Sequence, residues 1–513
     1  MIDRKDSLMT FDTLLPNWLT RSSENFPQHQ AVCYQDVCWT FATLEQQVIH
    51  LARQLAAIGV RSGSRVALLA ANGLPYVTCV HALTRLGAIL VPLNTRLTLD
   101  ELCWQIQDVR ATMFVSDASS APRSIEIQQV LPHLSHATLT ASPDNAAVFL
   151  EDIDALAVPL QPLIDLNATQ SIMYTSGTTG YPKGVLITYG MHWWNALGSA
   201  LNLGHQSDDC WLACMPFFHI GGLSILIRSV IYGISIIVQE RFDPAAVNRA
   251  IREQRVTIIS VVATMLQRML ADLDAGQPDA RYPATLRCVL LGGGPAPRHL
   301  LEDCARQDIP VAQTYGLTEA CSQAVTLSPA DSLRKIGSAG RPLLPVQLRI
   351  MNENRPALPD EPGTIYLKGP TITPGYADRP EATRSAFRDG WFSTGDIGSL
   401  DADGYLYVLD RRSDLIISGG ENIYPAEIES VLNGYPAVEE AGVCGQDDLQ
   451  WGQVPIAFVR LRPGSTVDAD TLLDYARQHL AHYKIPHAIY FVDALPRNSG
   501  GKLLRRELRK LLS

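Results

Sequence analysis

The chain has 513 residues, 46% of them hydrophobic, enough to bury a large core and to build more than one domain. A formal net charge of −10 excludes a general basic field for nucleic acid. The ten cysteines contain no C-x-x-C pair and match no zinc spacing, so they read as reduced, buried thiols in a cytoplasm. The N-terminus, MIDRKDSLMTFDTLL, mixes acids and bases ahead of any apolar run and predicts no secretory leader. From Val66 the pattern alternates: VALLA as a strand, a helix through Val80 and Leu83, AILVPL, a helix near Leu102, then MFVSD. Asp117 to Leu156 reads as a variable surface connection. The apolar run from Leu223 to Val238 is broken by Arg228 and Gly233. It falls short of the roughly 20 residues of a membrane span, so it reads as buried core without integral membrane association. The alternation returns in ISIIVQ, a helix from Pro244 to Gln254, VTIISVV, a helix from Met265 to Leu273, and RCVLLGGG. After Arg341 short alternating strands with turns, such as GTIYLKG and the Asp403-Gly404 turn, mark a small β-rich region. A helix from Pro425, strands near Ala441 and Ile456, a helix from Asp470 and a basic tail close the chain. The expected fold is α/β: a large N-terminal domain, residues 1–410, of helix-covered, mostly parallel sheets plus the small β-rich region. A small mobile α+β C-terminal domain, residues 411–513, follows.

Between the two alternating regions, Tyr174-Thr175-Ser176-Gly177-Thr178-Thr179-Gly180-Tyr181-Pro182-Lys183-Gly184 crowds four hydroxyls, three glycines and a lysine into a turn. Backbone N–H groups and hydroxyls in such a turn suit phosphate oxygens, with Lys183 as a point charge. It is not a Walker A loop, since no G-K-[S/T] closes it. Alone, the segment fits a flexible Ser/Thr/Gly hairpin equally well.

Six segments in order, YTSGTTGYPKG, GGGPAP (Gly292 to Pro297), QTYGLTE (Gln313 to Glu319), STGD (Ser393 to Asp396), DRRSDLIISGGENIYP and PRNSGGK, together resemble the adenylate-forming superfamily. That superfamily includes acyl-CoA synthetases, luciferases and the adenylation domains of peptide synthetases. The resemblance covers nearly the whole chain. It implies an ATP site of Thr175, Ser176, Gly177, Thr178, Thr179, Lys183, Gly294, Pro295, Thr314, Tyr315, Gly316, Thr318, Asp396 and Arg411. In it Tyr315 offers a ring for adenine, Thr318 a hydroxyl for the α-phosphate, and Asp396 with Arg411 holds the ribose. Glu319 is the implied Mg²⁺ ligand. Lys502, in a Gly-rich tip before the basic tail, matches the family's catalytic lysine and would stabilise charge on the α-phosphate. Ser413 stands where many relatives have an Asp or Lys hinge, and Gly419 and Gly420 would face coenzyme A after a domain rotation.

Pro216-Phe-Phe-His219-Ile-Gly-Gly-Leu-Ser224-Ile-Leu-Ile-Arg228 speaks to the acid. If the segment from Gly222 is helical, Ser224 and Arg228 share a face. A buried arginine needs a partner, which is either a protein acid or a substrate carboxylate. His219 either stacks on the acyl-AMP as a catalytic gate or is a hydrogen-bonded structural histidine. PFFHIGGLSILIRSVIYG, LLGGGPAP, YGLTEACSQAVTLSP and HYKIP make the chain similar to the o-succinylbenzoate-CoA ligases of menaquinone synthesis. That resemblance implies activation of the succinyl carboxylate, with Ser224 and Arg228 anchoring the aromatic one and His219, Gly292 and Gly293 completing the substrate wall. The expected co-substrates are ATP, Mg²⁺, a small carboxylic acid and coenzyme A. A synthetase for another acid, or an adenylation enzyme loading a carrier protein, is the alternative. The sequence leaves the oligomeric state open, a homo-oligomer included.

Overall fold

The computed structural model describes residues 13–141, 147–175, 182–276, 281–293, 296, 298–352, 355–410, 415–496, 503 and 505–512. Among these, a seven-stranded sheet takes Arg65–Leu69, Ile89–Pro92, Met113–Ser116, Ser135–Thr138 and Val148–Phe149 in parallel. Thr169–Thr175 joins Ile89–Pro92 in parallel, and Lys183–Thr188 closes the edge antiparallel to it. The nine-stranded sheet is parallel at its centre, through Gln30–Tyr34, Ser235–Val238, Cys210–Ala213, Ile258–Val262, Cys288–Gly292 and Val311–Leu317. Of these, Ser235–Val238, Ile258–Val262 and Cys288–Gly292 read as apolar runs in the sequence, as expected of buried parallel strands. The largest core joins the two sheets: Val66 and Leu90 of one and Trp211 and Ile236 of the other pack with helix residues Val48, Leu83 and Ile225.

Two helices of that core position the site. Tyr189–Leu203 starts where Thr188 accepts from the N–H of Met191 at 3.1 Å. Ile220–Tyr232 stops at Gly233, whose φ of 70° ends the helix while its N–H bonds to the Ser229 carbonyl. The run from Leu223 to Val238 is thus a buried helix followed by a buried strand, and no helix of the described residues is long and apolar enough to cross a membrane.

A six-stranded antiparallel sheet occupies Gln347 to Asp410, the β-rich region expected from its turns. A small C-terminal domain follows, with a five-stranded sheet backed by helices Pro425–Asn433 and Ala469–His479. Its own core includes Ile416, Ile428, Val443, Val459 and Leu472.

Two expectations fail. Asp117 to Leu156 is not only surface connection: helix Ala121–Val130 and strand Ser135–Thr138 extend the first sheet, with Ile127 and Ala137 buried. The helix has Pro122 in its first turn and little amphipathic period, which is why its pattern was faint. Nor are all cysteines thiols. Cys33 and Cys38 stand directly opposite in the hairpin Gln30–Tyr34/Val37–Thr40, Cα atoms 4.1 Å apart, and form a disulfide. Pairing register, invisible in a C-x₄-C spacing, brings them together. The other eight are buried free thiols.

Candidate active site

The carboxyl ends of Ile258–Val262 and Cys288–Gly292, with the adjoining Val311–Leu317, open onto a cavity of about 220 Å³. Open α/β sheets bind ligands at this end of their strands. Thr314, Gly316 and Leu317 of Val311–Leu317 line the cavity, while Tyr315 lies beside an irregularity in the pairing of this strand with Ser322–Thr326. Tyr315 is 3% exposed and packs with Val325 and Ile365, so the ring expected to carry adenine is not on the cavity wall. Its hydroxyl donates to Asp396 Oδ2 at 2.6 Å, and Asp396, with Thr394, does line the cavity. A Cβ at Gly316 would lie 1.8 Å from the Ser322 carbonyl oxygen, so only glycine lets the chain close here.

Thr318 and Glu319 continue the wall, and Glu319 is buried, one carboxylate oxygen accepting from the Tyr376 hydroxyl at 3.0 Å. Thr175 reaches the cavity from the end of its strand, while Lys183 opens the next strand with its ammonium 5.3 Å from the Tyr376 ring centroid. Gly292 and Gly293 form the floor beside Val262. Ser176, Gly177, Thr178, Thr179, Gly294, Pro295, Arg411, Ser413 and Lys502 lie outside the described residues.

At the other end, helix Ile220–Tyr232 presents Gly221 and Arg228. Arg228 is 2% exposed; its Nη2 donates to Asn195 Oδ1 at 2.5 Å, its guanidinium carbon lies 5.5 Å from the Trp211 ring centroid, and its Nε has no hydrogen-bond partner among the described residues. Burial pushes its pKa down from the usual arginine value, since the buried charge has lost its water. Ser224 shares the buried face but is not on the cavity wall; its hydroxyl turns back to the Gly221 carbonyl at 3.3 Å. This local bond is the usual recourse of a helical serine.

The C-terminal domain supplies the remaining wall through Leu415, Gly420, Asn422 and Tyr424. Gly419 stands behind, against Trp451. His219, ahead of helix Ile220–Tyr232, meets this domain: its Nε2 lies 3.1 Å from Glu421 Oε2, and Arg96 reaches the other carboxylate oxygen at 2.5 Å. Burial raises the Glu421 pKa, but the charges of His219, Arg96 and Lys484 outweigh it and hold the carboxyl below its usual value. Lys484, 4% exposed, bridges Glu101 at 2.5 Å and Glu427 at 2.7 Å. Glu421, Arg96, Asn422 and Tyr424 escaped sequence reasoning. The only signal was adjacency of three of them to Gly420, since Arg96 lies 325 positions from its partner.

A cavity at a sheet's carboxyl end, closed by a small second domain, defines the class. The chain belongs to the AMP-binding enzyme family: that family's model matches residues 19–377, and the model for the AMP-binding enzyme C-terminal domain matches residues 427–502. It is 52% identical over 500 residues to the 2-succinylbenzoate–CoA ligase of Geobacillus sp. (strain WCH70), covering 98% of each chain. Among solved structures, it is 44% identical to a double mutant of o-succinylbenzoate CoA synthetase from Bacillus subtilis bound with its product analogue OSB-NCoA. That likeness has a TM-score of 0.89 and covers 97% of this chain and 99% of the other. The Bacillus subtilis enzyme in complex with ATP and magnesium ion gives 0.73 at 43% identity, covering 97% and 100%. The arrangement seen here is thus nearer to the product-analogue complex.

Proposed function

We propose that this chain is an AMP-forming acid–thiol ligase that activates the succinyl carboxylate of 2-succinylbenzoate with ATP and passes the acyl group to coenzyme A, in menaquinone synthesis. One observation carries the choice of acid: Arg228 puts a buried cation on the cavity wall, and its partners among the described residues are a neutral amide and an indole ring. An isolated buried charge is strongly disfavoured, and the ring carboxylate of the substrate completes it. The names of the relatives agree with this reading.

In the first half-reaction a carboxylate oxygen attacks the α-phosphorus and pyrophosphate leaves. Thr175, Thr318 and the Ser176–Thr179 loop bind phosphate oxygens, and Asp396, oriented by Tyr315, accepts from the ribose hydroxyls. Glu319 is a buried oxygen donor on the cavity wall, which fits a magnesium ion held by one carboxylate and the nucleotide's own phosphates. Bound there, magnesium would neutralise phosphate charge. Lys502 stabilises the charge building on the α-phosphate and the attacking oxygen. In the second half-reaction the thiol adds to the acyl carbonyl carbon and AMP departs, with Gly419 and Gly420 beside the thiol's path. Residues 1–410 and 411–513 act as two bodies that rotate at Ser413 between the steps, and the higher likeness to the product-analogue complex supports reading this arrangement as that of the second step. We place the enzyme in the cytoplasm, without a nucleic-acid or membrane partner.

The test is kcat/KM with 2-succinylbenzoate, benzoate and octanoate for the parent and for Arg228→Leu. Loss of a charge-assisted pair predicts a KM for the diacid higher by about 10- to 150-fold, with much smaller changes for the monoacids. Equal effects on all acids would make Arg228 structural and leave the acid unassigned.

A further inference from the structure

Asn195 has no place in the reaction described so far, yet it is the only residue seen to hydrogen-bond the Arg228 guanidinium among the described residues. It lies on helix Tyr189–Leu203 and is 2% exposed. Its amide nitrogen donates to the Gln323 carbonyl at 2.7 Å and to the Ala320 carbonyl at 3.3 Å. Those two acceptors fix which end of the amide faces each way, so the oxygen must point to Arg228. They also define what the site rejects: an aspartate here would set an anionic oxygen against two backbone carbonyls. The surroundings are neutral as well. His192 bonds to Gln170 at 3.2 Å and to the Cys321 sulfur at 3.4 Å, and burial, then the Arg228 charge, pushes its pKa down to about 3.

We infer that Asn195 is a specificity-determining positioning residue: it aims the Arg228 guanidinium at the cavity while leaving its charge uncompensated, so that only an acid with a second carboxylate completes the pair. Shape alone would hold the aryl chain of a monoacid; the unmet charge is what separates the two. An internal carboxylate in place of Asn195 would satisfy Arg228 permanently and erase the distinction. The inference rests on the reading of Arg228 as the anchor of the second carboxylate.

The experiment compares kcat/KM for 2-succinylbenzoate with that for 4-oxo-4-phenylbutanoate, the same acid without its ring carboxylate, in the parent, N195D, N195A and Arg228→Leu enzymes. The diacid-to-monoacid ratio is expected to fall by about 30-fold in N195D, mainly through KM for the diacid, and by about 5-fold in N195A. A structural role would depress both acids together and leave the ratio, which overturns the inference. If N195D does not melt cooperatively, the ratio in N195A decides by the same rule. A parent enzyme without preference for the diacid, or a ratio unmoved by Arg228→Leu, would remove the anchor itself. A ratio that collapses in Arg228→Leu but survives in both Asn195 variants keeps the anchor and discards Asn195.

Discussion

Glu421→Gln should slow thioester formation while sparing adenylation. The Glu421 carboxylate, on the C-terminal domain and 4% exposed, receives His219 at 3.1 Å and Arg96 at 2.5 Å from the N-terminal domain. Glutamine keeps the shape and loses the charge. A hydrogen bond to a charged group contributes about 1.5–3 kcal/mol against about 0.5–1.5 for a neutral one, so the His219 contact loses about 1 kcal/mol. The Arg96 side chain is 51% exposed, which limits its share to the value of a surface pair, about 0–1 kcal/mol. The closed arrangement thus weakens by about 1–2 kcal/mol, or about 5- to 30-fold in population. The assay separates the half-reactions: single-turnover thioester formation from supplied acyl-AMP and coenzyme A, against pyrophosphate release without coenzyme A. Slowing of the first by about 5- to 30-fold is expected, with less than about 3-fold in the second. Equal slowing would refute the idea that these contacts favour one arrangement. The pH sign follows from the depressed carboxyl: the Glu421 contribution is complete above the ordinary value of 4.5 and is lost as pH falls through the lower folded value.

The other perturbations are briefer. Gly316→Ala drives a methyl to within 1.8 Å of the Ser322 carbonyl, and overpacking of this kind costs about 1–3 kcal/mol or more; a melting temperature equal to the parent's would show that the strands can yield. His192 is held neutral with its pKa lowered from 6.5 to about 3, so stability is full above pH 6.5 and falls as pH drops through that window. His192→Gln should therefore flatten the decline of melting temperature between those pH values, and a parallel decline would exclude His192 as its source. Alkylation followed by mass measurement of folded, unreduced protein should leave Cys33 and Cys38 unmodified, and mild reduction should expose the pair at Cys38, which is exposed, before any of the eight buried thiols reacts; labelling of Cys38 without reductant would contradict the disulfide.

Much of this molecule was legible in its sequence because the signals were local. The parallel strands VALLA, VTIISVV and RCVLLGGG are contiguous apolar runs, and Glu319, Asp396 and the glycines of the wall sit in motifs whose spacing is fixed within a turn or strand. What escaped depends on register and distance. The motif QTYGLTE does not show that Tyr315 is buried against Val325 and Ile365, because those neighbours come from other strands. Helical spacing and the resemblance both pair Ser224 with Arg228, but neither shows that the Ser224 hydroxyl turns back to the Gly221 carbonyl. The true partner of Arg228 is 33 positions earlier, on another helix, inside the unremarkable run WWNALGSA. The contacts of Glu421 with His219 and Arg96, and of Lys484 with Glu101, cross between domains, and no local pattern encodes them.

On the proposed function, the charge of Arg228 would also make the empty protein a sensor of its own substrate. With Arg228 as the proposed anchor of the second carboxylate, a cation buried beside an amide and an indole would weigh against folding until the diacid binds, which would link ligand and fold even before ATP arrives. Selectivity in this pocket is held as forgone stability: the melting temperature should climb with added diacid in the absence of nucleotide, and the acid lacking the ring carboxylate should leave it almost where it was.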